Sequence, residues 1–306
     1  MTEIIGLIER FMNLICPRNK SFWLIFFFIT IVIISCKTDI STQWCKRNWK
    51  ENPQGTITRI AFGSCADQNK DQPILDVVVS KSPQLFIYLG DNIYGDSYYI
   101  QELRQEYLKL ACKPEFQNLI SKCKVLATWD DHDYGHNDVG SEYILKEESK
   151  QLFLDFWGES NNTERQAHKG IYASYNFGEA DQKVKIILLD LRTFRSPLNE
   201  NETDYLPNSF PDAQMLGNEQ WKWLDKELKE PARIRIIGSS TRFATEYDGQ
   251  ETWANFPNEQ LKMFDLIKKL KPKELCLFRG IVIMQTLVIE MMYLIYTQYL
   301  IILLAP

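Results

Sequence analysis

The chain has 306 residues, 45% of them hydrophobic and 25% charged, with 14 Gly, 12 Pro and a formal net charge of −5. That mix excludes collagen-like, coiled-coil and wholly disordered chains, and the acidic balance argues against a protein held mainly by nucleic acid phosphates. Three His are available for metal chemistry.

Residues 21–35 read SFWLIFFFITIVIIS, an uncharged run behind Arg18 and Lys20 and ahead of Cys36. The run is short for a membrane span; a basic flank, an apolar core and a small residue before the cut describe a secretory signal. Ile33-Ile34-Ser35-Cys36 also resembles a bacterial lipobox, whose Cys is acylated and becomes the new N-terminus. The expectation is an exported protein with residues 1–36 as its signal: an outer-membrane or cell-surface lipoprotein held by an N-terminal lipid anchor, or a periplasmic or secreted form. An uncleaved signal anchor is the alternative. The remaining cysteines suit neither a dense disulfide framework nor a CxxC knuckle. Cys112 and Cys123, which flank one predicted helix, are a candidate pair.

Residues 59–64 (RIAFGS) form a short strand-type run, followed by a helix candidate at 75–80. A second strand at 85–90 (LFIYLG) breaks at Asp91-Asn92, and 101–110 has helical spacing. The third strand, 125–129, runs straight into Asp130-Asp131-His132-Asp133, with a helix expected at 142–156. Strands at 185–190 and 234–240 follow, alternating with helices at 217–228 and 258–270. Fully apolar strands interleaved with helices indicate sheets buried on both faces, the α/β class. No repeat or low-complexity tract divides residues 56–270, which read as one domain.

In such folds ligands sit at the carboxyl ends of strands. Those ends carry Cys65, then Asp91, Asn92 and Tyr94, then Asp130, Asp131, His132, Asp133, His136 and Asn137. Brought to one edge, these groups form a site for hard or intermediate cations, and without a cation so many acids repel one another. Two metals in such a site clamp a phosphate and lower the pKa of a bound water to about 7. Taken singly, the parts have plainer readings. Gly-Asp-Asn-x-Tyr is also a turn after a strand, Cys65 a small buried side chain, and the Asp190 to Arg195 run a surface ion pair rather than guanidinium groups presented to phosphate. The acidic run is harder to set aside, because consecutive ionisable groups after a buried strand are costly unless something neutralises them.

Ile60-Ala61-Phe62-Gly63-Ser64-Cys65, Leu89-Gly90-Asp91-Asn92-Ile93-Tyr94, Thr128-Trp129-Asp130-Asp131-His132-Asp133-Tyr134-Gly135, Leu189-Asp190-Leu191-Arg192 and Trp253-Ala254-Asn255-Phe256-Pro257 occur in this order. Together they resemble the signature blocks of the PhoD-like alkaline phosphatase and phosphodiesterase family, within the calcineurin-like metallophosphatases. The resemblance implies an α/β/β/α four-layer sandwich with a mixed-metal site, iron with calcium, that hydrolyses small phosphate mono- and diesters as a monomer with no specific nucleic acid partner. It implies that Cys65, Asp91 and Tyr94 hold the iron-type ion, that Asp91 bridges, and that Asn137 reaches the calcium side, with Asp131 or Asp130 as rivals for that last role. His132 and Arg192 would sit at the transferring phosphoryl group, Arg192 as an electrostatic clamp. Glu246, Tyr247, Asp248, Gly249 and Trp253 are expected in a loop over the site or an ordinary surface loop. Larger members carry an N-terminal sandwich module that this chain is expected to lack.

The family's last metal-binding block, Gly-Asp-x-His, is absent, and no Asp or His occurs from 274 to 306. Read one frame over, the codons for Leu275 to Gln285 can spell Val-Phe-Ile-Ser-Gly-Asp-Arg-His-Tyr-Ala, a strand followed by the absent block. The expectation is therefore a phosphatase domain over residues 56–273, incomplete at its end, and an out-of-frame tail over 274–306 rather than a membrane helix. Two other classes stay open: a catalytically silent metal- or phosphate-ester-binding lipoprotein of the same fold, and a membrane-tethered structural protein resting on the two apolar ends.

Overall fold

Backbone pairing turns each expected apolar run into a strand of one of two sheets. In the computed structural model, which describes residues 44–243, 246–271, 275–278, 282–283 and 299–303, the chain order is β1 (Arg59–Gly63), α1 (Pro73–Ser80), β2 (Leu85–Leu89), α2 (Ile100–Ala111), α3 (Pro114–Lys122), β3 (Lys124–Thr128), α4 (Asp131–Tyr134), α5 (Lys146–Phe156), α6 (Glu164–Ala167), β4 (Ala173–Phe177), β5 (Val184–Leu188), β6 (Asn199–Glu200), β7 (Tyr205–Leu206), α7 (Gly217–Lys229), β8 (Ile234–Gly238), α8 (Pro257–Leu270), β9 (Leu275–Phe278), β10 (Val282–Ile283) and β11 (Tyr299–Leu303). Two compact units divide the chain, Met1–Trp44 and Cys45–Pro306, and all these elements belong to the second. The expected signal, residues 1–36, lies outside the described residues, among which no helix is long and apolar enough to cross a membrane.

The first sheet has the order β11-β1-β2-β3, parallel except for β11; the second has β10-β9-β8-β5-β4, with β5, β8 and β9 parallel. Strand alternation sends Ile60, Phe62, Leu85, Ile87, Leu89 and Leu126 of the first sheet against Phe177, Val184, Ile186, Leu188, Ile234 and Ile236 of the second, one apolar layer between two sheets. The opposite face of the second sheet, with Ile187 and Ile237, packs under α7 and α8 through Trp221, Leu224, Leu228 and Met263. On the first sheet's outer face Tyr88 meets Phe116 of α3 and Trp157 after α5, at ring separations of 6.4 and 5.3 Å. The layers are therefore α/β/β/α, as expected. Burying each such side chain stabilises the fold by about 1.5–3 kcal/mol.

Helices α1, α3 and α8 open with proline, which needs no N–H partner in the first turn and arrives with helical φ. Helix α5 starts at Lys146, four residues later than the spacing of 142–156 predicts, because Ser141 to Leu145 close a turn first. The Cys112–Cys123 pairing is corrected. Cys112 bonds to Cys45, with Cα atoms 5.4 Å apart, while Cys123 is a free buried thiol whose pKa burial pushes up to about 12. All nine residues of α3 separate Cys112 from Cys123, a rise of about 13 Å that a disulfide does not span.

Candidate metal centre

Because β1, β2 and β3 run parallel, the residues that follow them emerge at one edge of the sheet. Cys65 and Asp91 both adopt left-handed backbone, at φ +57° and +50°, an uncommon conformation for non-glycine residues. The two loops are laced together by Cys65 N–H to Gly90 O at 3.1 Å and Ala66 N–H to Asp91 O at 2.7 Å. This sets Cys65 Sγ 3.1 Å from Asp91 Oδ2. Gly90 between them has φ +105°, and a Cβ there would lie 2.7 Å from the Asp130 Cβ. Close approach of the two strand ends thus requires glycine.

The acidic run after β3 separates into distinct jobs. Asp130 Oδ1 accepts from Arg192 Nε at 2.6 Å and Ser240 Oγ at 3.0 Å. Asp133 turns inward: its Oδ1 accepts from the Asp130 N–H at 2.7 Å, closing a capping box on α4, and its Oδ2 accepts from Asn92 Nδ2. Burial, then the charges of Asp91 and Asp130, push the Asp133 carboxyl well above the usual carboxylate range. Asp131 and His132 remain, and with Asp91 they each offer a ligand atom, all within 4.8 Å of one another. Asp131 Oδ2 also accepts the Asp138 N–H at 2.8 Å.

His132 Nδ1 lies 2.6 Å from Asp96 Oδ1, and its ring packs 4.4 Å from that of Tyr94. Burial disfavours the charged imidazole, but the bond to Asp96 and the charges of Asp131, Asp91 and Asp96 outweigh it, raising the pKa to about 9. Asp96 and Asp138 again have positive φ, +44° and +57°.

Arg192 is fully buried. Its guanidinium grips Glu251 through two bonds of 2.9 and 2.7 Å, holds Asp130, and lies 3.5 Å from Asp131. Burial lowers its pKa, but Asp130, Glu251 and Asp131 together drive it well above the ordinary arginine value. Arg195 is equally buried, 3.2 Å from Glu251. The Asp190 to Arg195 run is therefore interior, not a surface ion pair. Asp190 itself is an anchor: Oδ1 accepts from Trp129 Nε1 and the N–H groups of Arg192 and Thr193, and Oδ2 from Ile171 N–H and Thr193 Oγ1, at 2.7–3.0 Å.

Of the residues proposed from sequence, Cys65, Asp91, Tyr94, Asp131 and His132 are brought together, Arg192 lies 3.5 Å from Asp131, and Asn137 lies on the turn whose next residue, Asp138, donates its N–H to Asp131. Asn137 is exposed, with Nδ2 on Asp138 Oδ2 at 2.5 Å. In the loop after β8, Tyr247 is exposed, Asp248 pairs with Arg242 at 2.7 Å, and Trp253 is buried with Nε1 on Ser239 Oγ at 3.1 Å. Asp96, Ser240 and Glu251 escaped sequence reasoning. Asp96 carried a local signal, an acid two positions past Tyr94; Glu251 lies 59 residues from Arg192 and carried none. A thiol, carboxylates, an imidazole and a phenol on one strand edge are a donor set that fits hard or intermediate cations.

A search of curated proteins finds no match to the sequence. The solved structure of PhoD is similar at TM-score 0.61 and 17% identity, over 74% of this chain and 51% of that chain, so the chain spans about half the length of that protein. Weaker likenesses join it to a purple acid phosphatase from yellow lupin (Lupinus luteus) seeds, at TM-score 0.43, 12% identity and 74% and 38% coverage, and to a dimetal phosphatase from Danio rerio, at 0.44, 13%, and 72% and 80%. Neither of these two bears on the assignment. The model of the PhoD-like phosphatase family matches residues 60–278, from within β1 to the end of β9, a span that encloses every strand end of the metal centre. The chain belongs to the PhoD-like phosphatase family.

Proposed function

We propose that this protein is an exported, metal-dependent phosphohydrolase that cleaves phosphate mono- or diesters at the Asp91, Asp131 and His132 cluster. The observation that carries the reading is the convergence of those three ligand atoms within 4.8 Å, with Cys65 Sγ 3.1 Å from Asp91. Cys65, Asp91 and Tyr94 would hold an iron-type ion, with Asp91 shared, and Asn137 or Asp131 would serve the calcium side. Bound cations supply Lewis acidity and a nucleophile at neutral pH. The chain's own part is to orient and to neutralise. His132, steered by Asp96, presents its other ring nitrogen to a phosphoryl or leaving-group oxygen. Arg192, fully buried and paired with Asp130, Asp131 and Glu251, acts by fixing Asp131 and neutralising the acids around it rather than by touching the phosphoryl group.

Export is supported by the apolar run before Cys36 and by the Cys45–Cys112 disulfide, which persists in oxidising compartments. The substrate end of the reading is a small phosphate ester, acted on by a monomer. Residues from about 274 onward are read as out-of-frame text, on the ground that the shifted codons from Leu275 spell a strand and the Gly-Asp-x-His block, although the family match to the literal residues runs on to 278. The absence of Gly-Asp-x-His favours a second reading for the literal polypeptide, a silent metal- or phosphate-ester-binding protein. Metal analysis combined with bis-p-nitrophenyl phosphate hydrolysis, on the literal chain and on one with the frame restored, separates them. Bound metal with hydrolysis only in the restored chain supports both proposals; no retained metal in either refutes the phosphohydrolase.

A further inference from the structure

An exposed aromatic platform stands beside the metal centre and plays no part in holding it. Tyr98 is 50% exposed, a large apolar surface for a side chain so firmly held. Its ring stacks on His136 at 5.2 Å and 21°, and its other neighbour is Tyr143 at 5.7 Å. Tyr143 is buried, packs on Tyr134 at 5.3 Å, and donates its hydroxyl to Ser97 O at 2.7 Å. Gly135 makes room for it: a Cβ there would fall 2.6 Å from the Tyr143 ring. The loop that carries Tyr98 is tied to the α4 turn by Gly95 N–H to His132 O at 3.0 Å and Ser97 N–H to Gly135 O at 2.7 Å. The same loop supplies Asp96 to His132. One loop thus orients the imidazole and, two residues on, displays an aromatic face that is rigid before any ligand arrives.

Rigidity of that kind lowers the ordering cost of stacking, and aromatic pairs in offset or tilted contact gain beyond their buried area. Tyr98 follows Asp96 by two positions, at most about 7 Å of chain, and the Asp96 carboxylate touches His132, so the platform stands beside the cluster. The part of a bound phosphate ester that can meet such a platform is the group carried on its ester oxygen, and a flat aromatic group matches the platform's chemistry.

Resting on the phosphohydrolase reading, we infer that Tyr98 and His136 form a subsite for the aromatic group of an aryl phosphate ester. The test is equilibrium binding of phenylphosphonate and methylphosphonate to the full chain in the presence of metal, for the wild type, Tyr98→Ala and Tyr98→Phe. The expected result is a phenyl preference of roughly three- to tenfold that Tyr98→Phe keeps and Tyr98→Ala abolishes. Equal binding of both phosphonates, or a phenyl preference untouched in Tyr98→Ala, overturns the subsite while leaving the phosphate site standing. Failure of both phosphonates to bind removes the phosphate site itself.

Discussion

The Asp96 carboxylate lies 2.6 Å from His132 Nδ1, on a loop that β2 feeds directly. An imidazole held this way keeps one ring nitrogen committed and leaves the other available, an arrangement in which the outer partner sets orientation. Asp96→Asn in a frame-restored chain is expected to lower kcat about ten- to a hundredfold with a smaller change in KM. Steady-state kinetics on an aryl phosphate checks this, and an unchanged kcat would show that His132 needs no orienting partner.

Asp91 faces Asp131 and His132; its charge raises the pKa of buried Asp133 and also favours the protonated imidazole. Asp91→Asn should leave the melting temperature of the chelated protein little changed, relief of the neighbouring acids offsetting the lost attraction to His132, while abolishing the increase that added metal gives the wild type. Paired thermal melts with and without chelator read both effects. A metal-induced shift that survives the substitution would exclude Asp91 as a ligand.

Arg192 compensates Asp130 and Glu251 with no access to water. Arg192→Met removes the main cation facing buried Asp130 and partly buried Glu251, leaving Ser240 and Arg195 as partners, and should cost about 3 kcal/mol, measured by urea denaturation. Arg192→Lys is expected to recover only part of it, since a single ammonium does not reproduce the two-pronged grip on Glu251. A loss below about 1 kcal/mol would place the Asp130 and Glu251 charges elsewhere.

Lys185 and Glu227 form a buried pair at 2.7 Å between β5 and α7, with Ser174 Oγ donating to the same carboxylate at 2.6 Å. Burial raises the Glu227 pKa, but the bonds from Lys185 and Ser174 prevail and hold it below the ordinary value of 4.5. A folded-state pKa lowered in this way gives stability that is present above the unfolded value and lost as pH falls through the folded one. Glu227→Gln should flatten the acid limb of stability below that value, followed by denaturant midpoints across pH. An acid limb as steep as the wild type's would assign it to other carboxylates.

The α/β class was legible because its strands are apolar, LFIYL and VKIIL reading as buried strands, while the two-sheet sandwich came only with the family resemblance. Strand β4, ASYNF, escaped because it is an antiparallel edge strand whose polar residues alternate outward. Within the site, Cys65, Asp91 and Asp131 were readable from their places at strand ends. The partition of the acidic run was not. Whether Asp130 or Asp131 faces the cluster depends on Arg192 and Ser240, which arrive from the other sheet. The disulfide was missed for a similar reason: Cys45 and Cys112 are 67 residues apart, and no local pattern encodes their meeting.

Cys65, Asp91, Asp96 and Asp138, four side chains in and around the cluster, each sit on a backbone that L-residues adopt at a cost of about 1–2 kcal/mol and glycine adopts freely. Laboratory selection for heat tolerance alone would therefore favour glycine at these positions and erase the donors one by one. Robustness and chemistry pull this protein in opposite directions at the same four codons, so any breeding scheme for a hardier variant has to screen for cation uptake in every round.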